Sequence, residues 1–229
     1  MAYLGQGGWT GRPAGELRAI ANLYPETLHL ITRREAGITR LGDLIGKRVS
    51  LDEQGSGTLT DASLILASVD ITPDMLESVN LPVGEAVRAM LSDQLDAFFF
   101  LGGHPADRIS ELASQMPIEI LPIEGTVAAR IVAEHPFLSA TVLPAGTYPG
   151  QTTPVPTLSV GAQWLTSARQ PAALIRDITA ALWSPATARL LRGGPRQGRS
   201  IALATALDGI SVPLHPGAAE YYKEISILK

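Results

Sequence analysis

Three groups of residues in this 229-residue chain have the types and spacing to hold a small molecule. Gly55-Ser56-Gly57-Thr58 falls between a strand-like run and a helix-like run, so its backbone amides would point out of a helix N-terminus. Small side chains let a ligand approach that backbone, and two hydroxyls add donors; a carboxylate there gains ~0.3–1 kcal/mol when exposed. The same four residues would equally serve as a helix cap, with Ser56 or Thr58 at the capping position. Gly102-Gly103-His104-Pro105 follows an apolar strand, at the place where open α/β sheets put their ligand crevice. His104 would either donate to a carboxylate or cap the next helix. Tyr148 and Tyr24 each offer an aromatic wall with a hydroxyl, or a packing residue at a proline-rich crossover.

Other chemistry finds little support. There is no cysteine, which removes disulfides, thiolate nucleophiles and cysteine metal sites. The histidines at 29, 104, 135 and 215 form no His-x-His or His-x-x-x-His pair, so no metal site is expected. Ser56 is not in a G-x-S-x-G elbow, since Gln54 and Thr58 stand where glycines would be needed. The Gly5 to Gly11 stretch is glycine-rich but follows no strand, and no phosphate-binding loop is present, so no cofactor is expected. A net charge of −4, without runs of either sign, leaves no electrostatic footprint for nucleic acid. The chain is read as a binding protein and not as an enzyme.

The elements that must position these residues follow from periodicity. Short β-rich runs alternate with helical patterns, which predicts an α/β architecture with largely parallel strands. Strands are expected at 17–21 and 28–32, separated by a sharp connection at Tyr24-Pro25, and at 48–51, 96–101, 118–121 and 157–165. Helices are expected near 58–68, 84–92, 106–114, 127–133, 171–183, 185–192 and 216–225. In the first of these, Leu59, Ala62, Ser63, Leu66 and Ala67 are the expected inward face. The proline- and glycine-rich stretch from Leu143 to Pro156 reads as a linker or hinge. Trp164 and Trp183 are expected in the core, Arg33 and Arg34 on the solvated surface, and His215 in a structural terminal loop.

Taken in order, several segments resemble the TAXI family of solute receptors, which serve tripartite ATP-independent periplasmic (TRAP) transporters. They are Leu23-Tyr24-Pro25-Glu26, the run Leu41 to Ser50, Gly55-Ser56-Gly57-Thr58, Asp96-Ala97-Phe98-Phe99, the run Pro144 to Gln151, and the run Pro213 to Ala218. The resemblance implies a type II periplasmic-binding-protein-like α/β fold of two lobes joined by hinge strands. Residues 1–35 would be a remnant of lobe I plus the first hinge strand, 36–151 a complete lobe II, and 152–229 the return hinge strand and the C-terminal part of lobe I. The first lobe is expected to be incomplete at its N-terminus, which also lacks an export signal. The implied function is extracytoplasmic capture of a small carboxylate, an amino acid such as glutamate or a dicarboxylate, by lobe closure. The implied partner is a TRAP permease subunit in the membrane, contacted peripherally from the periplasm. The other reading is a stand-alone ligand-sensing or interaction domain of the same fold.

Overall fold

Alternating apolar positions in the strands bury both faces of one mixed sheet in the computed structural model, which describes Tyr3, Gly5 and residues 10–228. The Gly5 to Gly11 stretch lies mostly outside the described residues. Strands β1 (Leu17–Arg33), β2 (Arg48–Ser50), β3 (Glu77–Val79), β4 (Ala97–Gly102), β5 (Ile118–Ile120), β6 (Leu138–Leu143) and β7 (Val155–Ser167) build it in the order β3-β2-β4-β1-β7-β6, with β5 also paired to β1. The helices are α1 (Gly57–Ala67), α2 (Val83–Leu91), α3 (Asp107–Gln115), α4 (Gly125–Glu134), α5 (Ala172–Leu182), α6 (Pro185–Gly193) and α7 (Pro216–Glu224). Among the described residues no helix is long and apolar enough to cross a membrane.

The α/β class is as expected, but the strand directions are not largely parallel. β2 runs parallel to β3 and β4, whereas β1 is antiparallel to β4 and β5, and β6 is antiparallel to β7. Nor is there a break at Tyr24-Pro25: β1 continues through both residues. Proline already favours an extended backbone, and pairing with β4 starts only at Thr27, so the missing amide costs no bond in that ladder. The stretch from Leu143 to Pro156 is not a linker between units. It closes a hairpin in which Leu143 faces Val155, and its glycines supply the turns, with φ of 74° at Gly146 and 79° at Gly150.

The chain divides into two compact units, one of residues 1–25 and 161–229 and the other of residues 26–160. The second unit is wider at both ends than the lobe expected at 36–151. Its core lies on the two faces of the sheet. On one face, Leu28, Leu30, Val49, Ala97 and Phe99 pack with α1 residues Ala62, Ile65 and Leu66. On the other, Ile31 and Phe98 pack with Ala86, Val87 and Met90 of α2 and Ile109 and Leu112 of α3. At the amino ends of β2 and β4, Asp96 accepts from the Arg48 backbone amide at 3.0 Å and from its guanidinium at 3.0 and 2.6 Å, tying the two parallel strands together. Arg33, expected on the surface, is mostly buried and pairs with Asp93 and Glu35, whereas Arg34 is exposed and pairs with Glu119.

The first unit is held by Ile20, Ala21, Ile175, Ala206, Ala218 and Tyr222. Tyr222 donates to the Ile20 carbonyl at 3.1 Å and accepts from Trp183 Nε1 at 3.0 Å. Trp183 is half-buried, but Trp164 is 39% exposed and not a core residue, because the outer end of β7 is only partly covered. His215 is structural, as expected: its Nδ1 accepts from the Gly217 amide at 3.2 Å at the start of α7, and its Nε2 donates to the Gln170 carbonyl at 3.1 Å. Gly217 lies where α7 meets α5, and a β-carbon there would overlap the Ala172 carbonyl oxygen and sit 2.7 Å from the Arg176 amide. Neither backbone atom can move away alone. Gly217→Ala should therefore destabilise the first unit by about 2 to 3 kcal/mol, read as a lower urea midpoint.

Candidate functional site

In the second unit, β2 and β4 are parallel and end on the same edge, beside the N-terminus of α1 and the loop into α3. Between β2 and α1 the chain turns sharply, with φ of 74° at Asp52 and 84° at Gly55. The turn is anchored from outside: Asn80 Nδ2 donates to the Asp52 carbonyl at 2.7 Å, and Gln54 Nε2 donates to Asn80 Oδ1 at 2.8 Å. Ser56 is the cap of α1, and its Oγ accepts from the Leu59 amide at 3.0 Å. That satisfies only one donor of the first turn; the amides of Gly57 and Thr58 make no hydrogen bond among the described residues. Gly55 and Gly57 are exposed, and Thr58 is buried.

The buried face of α1 is not the one expected. Thr58, Asp61, Ala62, Ile65 and Leu66 turn inward, while Leu59 and Ser63 are only partly buried and Ala67 is exposed. The helix is rotated by about one residue from the sequence reading, which brings an unexpected carboxyl into the interior. Asp61 is 5% exposed, and burial, helped by the nearby Glu26 carboxylate, pushes it up to about 6. Glu26 precedes Leu28 by two positions on β1, so it belongs to the same face of the sheet as α1.

His104 and Tyr148 come together, but on the opposite face. Phe98, Phe100 and Gly102 alternate with Phe99 and Leu101 along β4, and Thr27, His29 and Ile31 are their counterparts on β1. His29 is fully buried there. Its Nδ1 lies 2.9 Å from the Thr27 carbonyl, which can only accept, so Nδ1 carries the proton and Nε2 is an acceptor. The Tyr148 hydroxyl donates to that Nε2 at 3.0 Å and accepts from the Ala106 amide at 3.1 Å, just before α3. Thr27 Oγ1 and His104 Nδ1 share a hydrogen bond of 3.0 Å, and the His29 and His104 rings lie edge to face at 6.4 Å.

This network is neutral. Burial, with a smaller contribution from His104, lowers His29 to about 4, and burial also lowers His104. Burial raises Tyr148 to about 12. Tyr148 is only 3% exposed, so it braces the hairpin loop against α3 and its ring is not an open wall. His104 is partly exposed, and its Nε2 has no hydrogen-bond partner among the described residues. Gly102 is fixed by packing, since a β-carbon would approach the Phe100 ring to 2.6 Å. Gly103 is partly exposed in the following turn. Tyr24 is half-buried in the first unit, apart from the unit that carries the other candidates.

Sequence reading had passed over Asp61, Glu26, Thr27 and His29. His29 and Tyr148 are 119 positions apart, so nothing local could pair them. Thr58 and Asp61, three apart on one helix face, were legible as a pair had the apolar face been drawn through Ile65.

A protein-family model described as the NMT1-like family matches residues 1–225. Among solved structures, the chain is similar to the alkanesulfonate-binding protein SsuA from Xanthomonas axonopodis pv. citri bound to MOPS, at 14% identity and a TM-score of 0.44, covering 94% of this chain and 71% of that one. It is similar to an ABC transporter periplasmic binding protein from Brucella ovis with glutathione bound, at 13% and 0.42, covering 81% and 50%. A third similarity is to an ABC uptake transporter substrate binding protein from Streptococcus pneumoniae with bound histidine, at 14% and 0.45, covering 80% and 61%. The chain therefore spans between 50% and 71% of these three chains.

The two perturbed groups act on stability with opposite sign. His29 lies below its ordinary 6.5, so the folded state resists protonation, and stability present above pH 6.5 is lost as pH falls toward about 4. Asp61 lies above its ordinary 3.8, so its contribution is fully present below pH 3.8 and lost as pH rises through about 6. In the overlap the two offset each other. Asp61→Asn should be more stable than the parent at pH 7, yet lose about 2 kcal/mol more on going to about pH 4.5, because the His29 loss is then uncompensated. Urea unfolding of both proteins at the two pH values measures this, and an equal loss in the two would refute it.

Tyr148→Phe removes the donor to His29 and the acceptor for the Ala106 amide together. Two buried polar groups lose their partners, which should cost about 2 kcal/mol in the same measurement.

Proposed function

The chain belongs to the NMT1-like family, and from that premise we propose that it is a non-catalytic solute-binding receptor acting outside the cytoplasm. It captures a small carboxylate, an amino acid such as glutamate or a dicarboxylate, and passes it to a TRAP permease in the membrane. The observation that carries this reading is the pair of unpaired amides at Gly57 and Thr58, at the mouth of a capped helix on the carboxyl edge of parallel strands. Two orphan donors and the positive end of the helix dipole favour an anionic group there. Ser56 is occupied as the cap and acts by holding the first turn in place. His104, whose Nε2 has no partner among the described residues, follows β4 on the same carboxyl edge but from the opposite face, and so is the weaker candidate for a contact with the solute. The carry-over to a TRAP permease rests on the ordered TAXI-like segments, among which Gly55-Ser56-Gly57-Thr58 and the run Pro144 to Gln151 both belong to this unit. No step in capture breaks a bond; affinity comes from hydrogen bonds and burial alone.

Gly57→Val is a clean probe. A β-carbon at position 57 meets only Leu101 Cδ2, at 3.9 Å, so the fold accepts it while the branched side chain covers the first-turn amides. Isothermal titration against a panel of amino acids and dicarboxylates should give micromolar or tighter binding for the parent, with a negative heat-capacity change, and at least a roughly hundredfold loss for Gly57→Val. Undiminished affinity in the variant would remove the Gly55–Thr58 assignment, and silence of the parent across the panel would favour a sensing or interaction domain.

A further inference from the structure

The first turn of α1 combines two features that work against each other for a purely anionic ligand. Its amides at Gly57 and Thr58 attract negative charge, while Asp61, three positions on and on the same inward face as Thr58, is itself a carboxyl. Side chains on a helix lean toward its N-terminus, so Asp61 is directed back over the turn that holds Gly57 and Thr58. Asp61 is 5% exposed and, among the described residues, makes no hydrogen bond or ion pair. The charged group acting on it is Glu26, a second carboxylate, which has other interactions of its own. Buried carboxylates are ordinarily matched by a cation or by several donors, and this one has neither.

Among the described residues nothing offsets the Asp61 charge, so in the free protein its relief is a proton, or water at the edge of the carboxyl that still reaches solvent. The upward displacement of Asp61 agrees with the protonated state. A solute can supply a better one. A dicarboxylate placed on the amides would meet Asp61 and Glu26 with like charge, whereas a solute carrying a protonated amine next to its carboxylate would satisfy both halves of the turn. Resting on the solute-binding reading above, we propose that Asp61, with Glu26 beside it, forms a cation subsite for the protonated amine of a zwitterionic solute whose carboxylate binds the Gly57 and Thr58 amides. The subsite selects amino acids against dicarboxylates of the same carbon skeleton. The amine donates to the Asp61 carboxylate, and Glu26 adds longer-range attraction.

The test compares L-glutamate with glutarate, which has the same skeleton without the amine, by isothermal titration of the full chain and of Asp61→Asn. Glutamate should bind the parent at least roughly tenfold more tightly, and Asp61→Asn should abolish that preference. The substitution removes an unmatched buried charge, so the variant keeps its fold, which its melting temperature checks. Equal or tighter binding of glutarate, or an undiminished preference in the variant, would overturn the subsite while leaving the receptor reading intact. Where neither compound binds, carbon NMR of the Asp61 carboxyl in methylammonium chloride against the same concentration of sodium chloride decides. A lower titration midpoint in methylammonium supports the subsite even though the receptor reading has then lost its ligand, and an unchanged midpoint overturns it.

Discussion

The antiparallel register between β1 and β4 is the constraint on which the second unit depends. Thr27 faces Gly102 and Thr32 faces Ala97, so β4 is fixed against the fully buried stretch of β1, the strand that also carries the chain into the first unit. Each residue of β4 from Ala97 to Phe99 is at most 2% exposed. Because strand side chains alternate, this register also decides which groups meet: Glu26 and Leu28 turn to the α1 side, and Thr27 and His29 turn to the α3 side. A slip by one residue would turn His29 toward Ile65 and Leu66 of α1 and bury it without a partner. The same pairing therefore sets the core, the neutral histidine network and the position of Glu26 near Asp61.

Polar groups on the two faces are handled differently. On the α3 side, a chain of hydrogen bonds from the Ala106 amide through Tyr148 and His29 to the Thr27 carbonyl pairs each buried atom with the polarity it needs. That network is complete without a ligand, and its function is to fix the hairpin loop to the start of α3. On the α1 side, the opposite holds. Among the described residues, the donors at Gly57 and Thr58 and the acceptor at Asp61 remain unpaired, within one turn of the same helix and of complementary sign. A buried group left unmatched costs roughly 1–3 kcal/mol, which bears on Asp61 and Thr58 and not on the exposed Gly57. A protein tolerates such a group where something else completes it.

Much of this arrangement was legible in the sequence. The seven helices fall within a few residues of where periodicity placed them, and the Ser56 cap, the glycine break after β4 and the structural His215 stand where their chemistry required. What escaped was set by long-range pairing. The continuity of β1 through Pro25 depends on where pairing with β4 begins, and β6 becomes a strand only because β7 lies beside it. Asp61 escaped for a different reason: a charged residue is assigned outward by default, and with Leu59 and Leu64 also available the apolar face of α1 could be drawn more than one way. Arg33 was misplaced by the same default.

Glycine has different reasons at Gly102 and Gly57. At Gly102 the fold demands it, because the Phe100 ring occupies the space of a β-carbon. At Gly57 the backbone is helical, the φ is not positive, and a β-carbon would find ordinary contact at 3.9 Å. As the first residue of α1, position 57 would accept alanine without strain. Nothing in the packing of the second unit requires glycine there, in contrast to Gly102. With no side chain at position 57, the first-turn amides of Gly57 and Thr58 are left uncovered from that side.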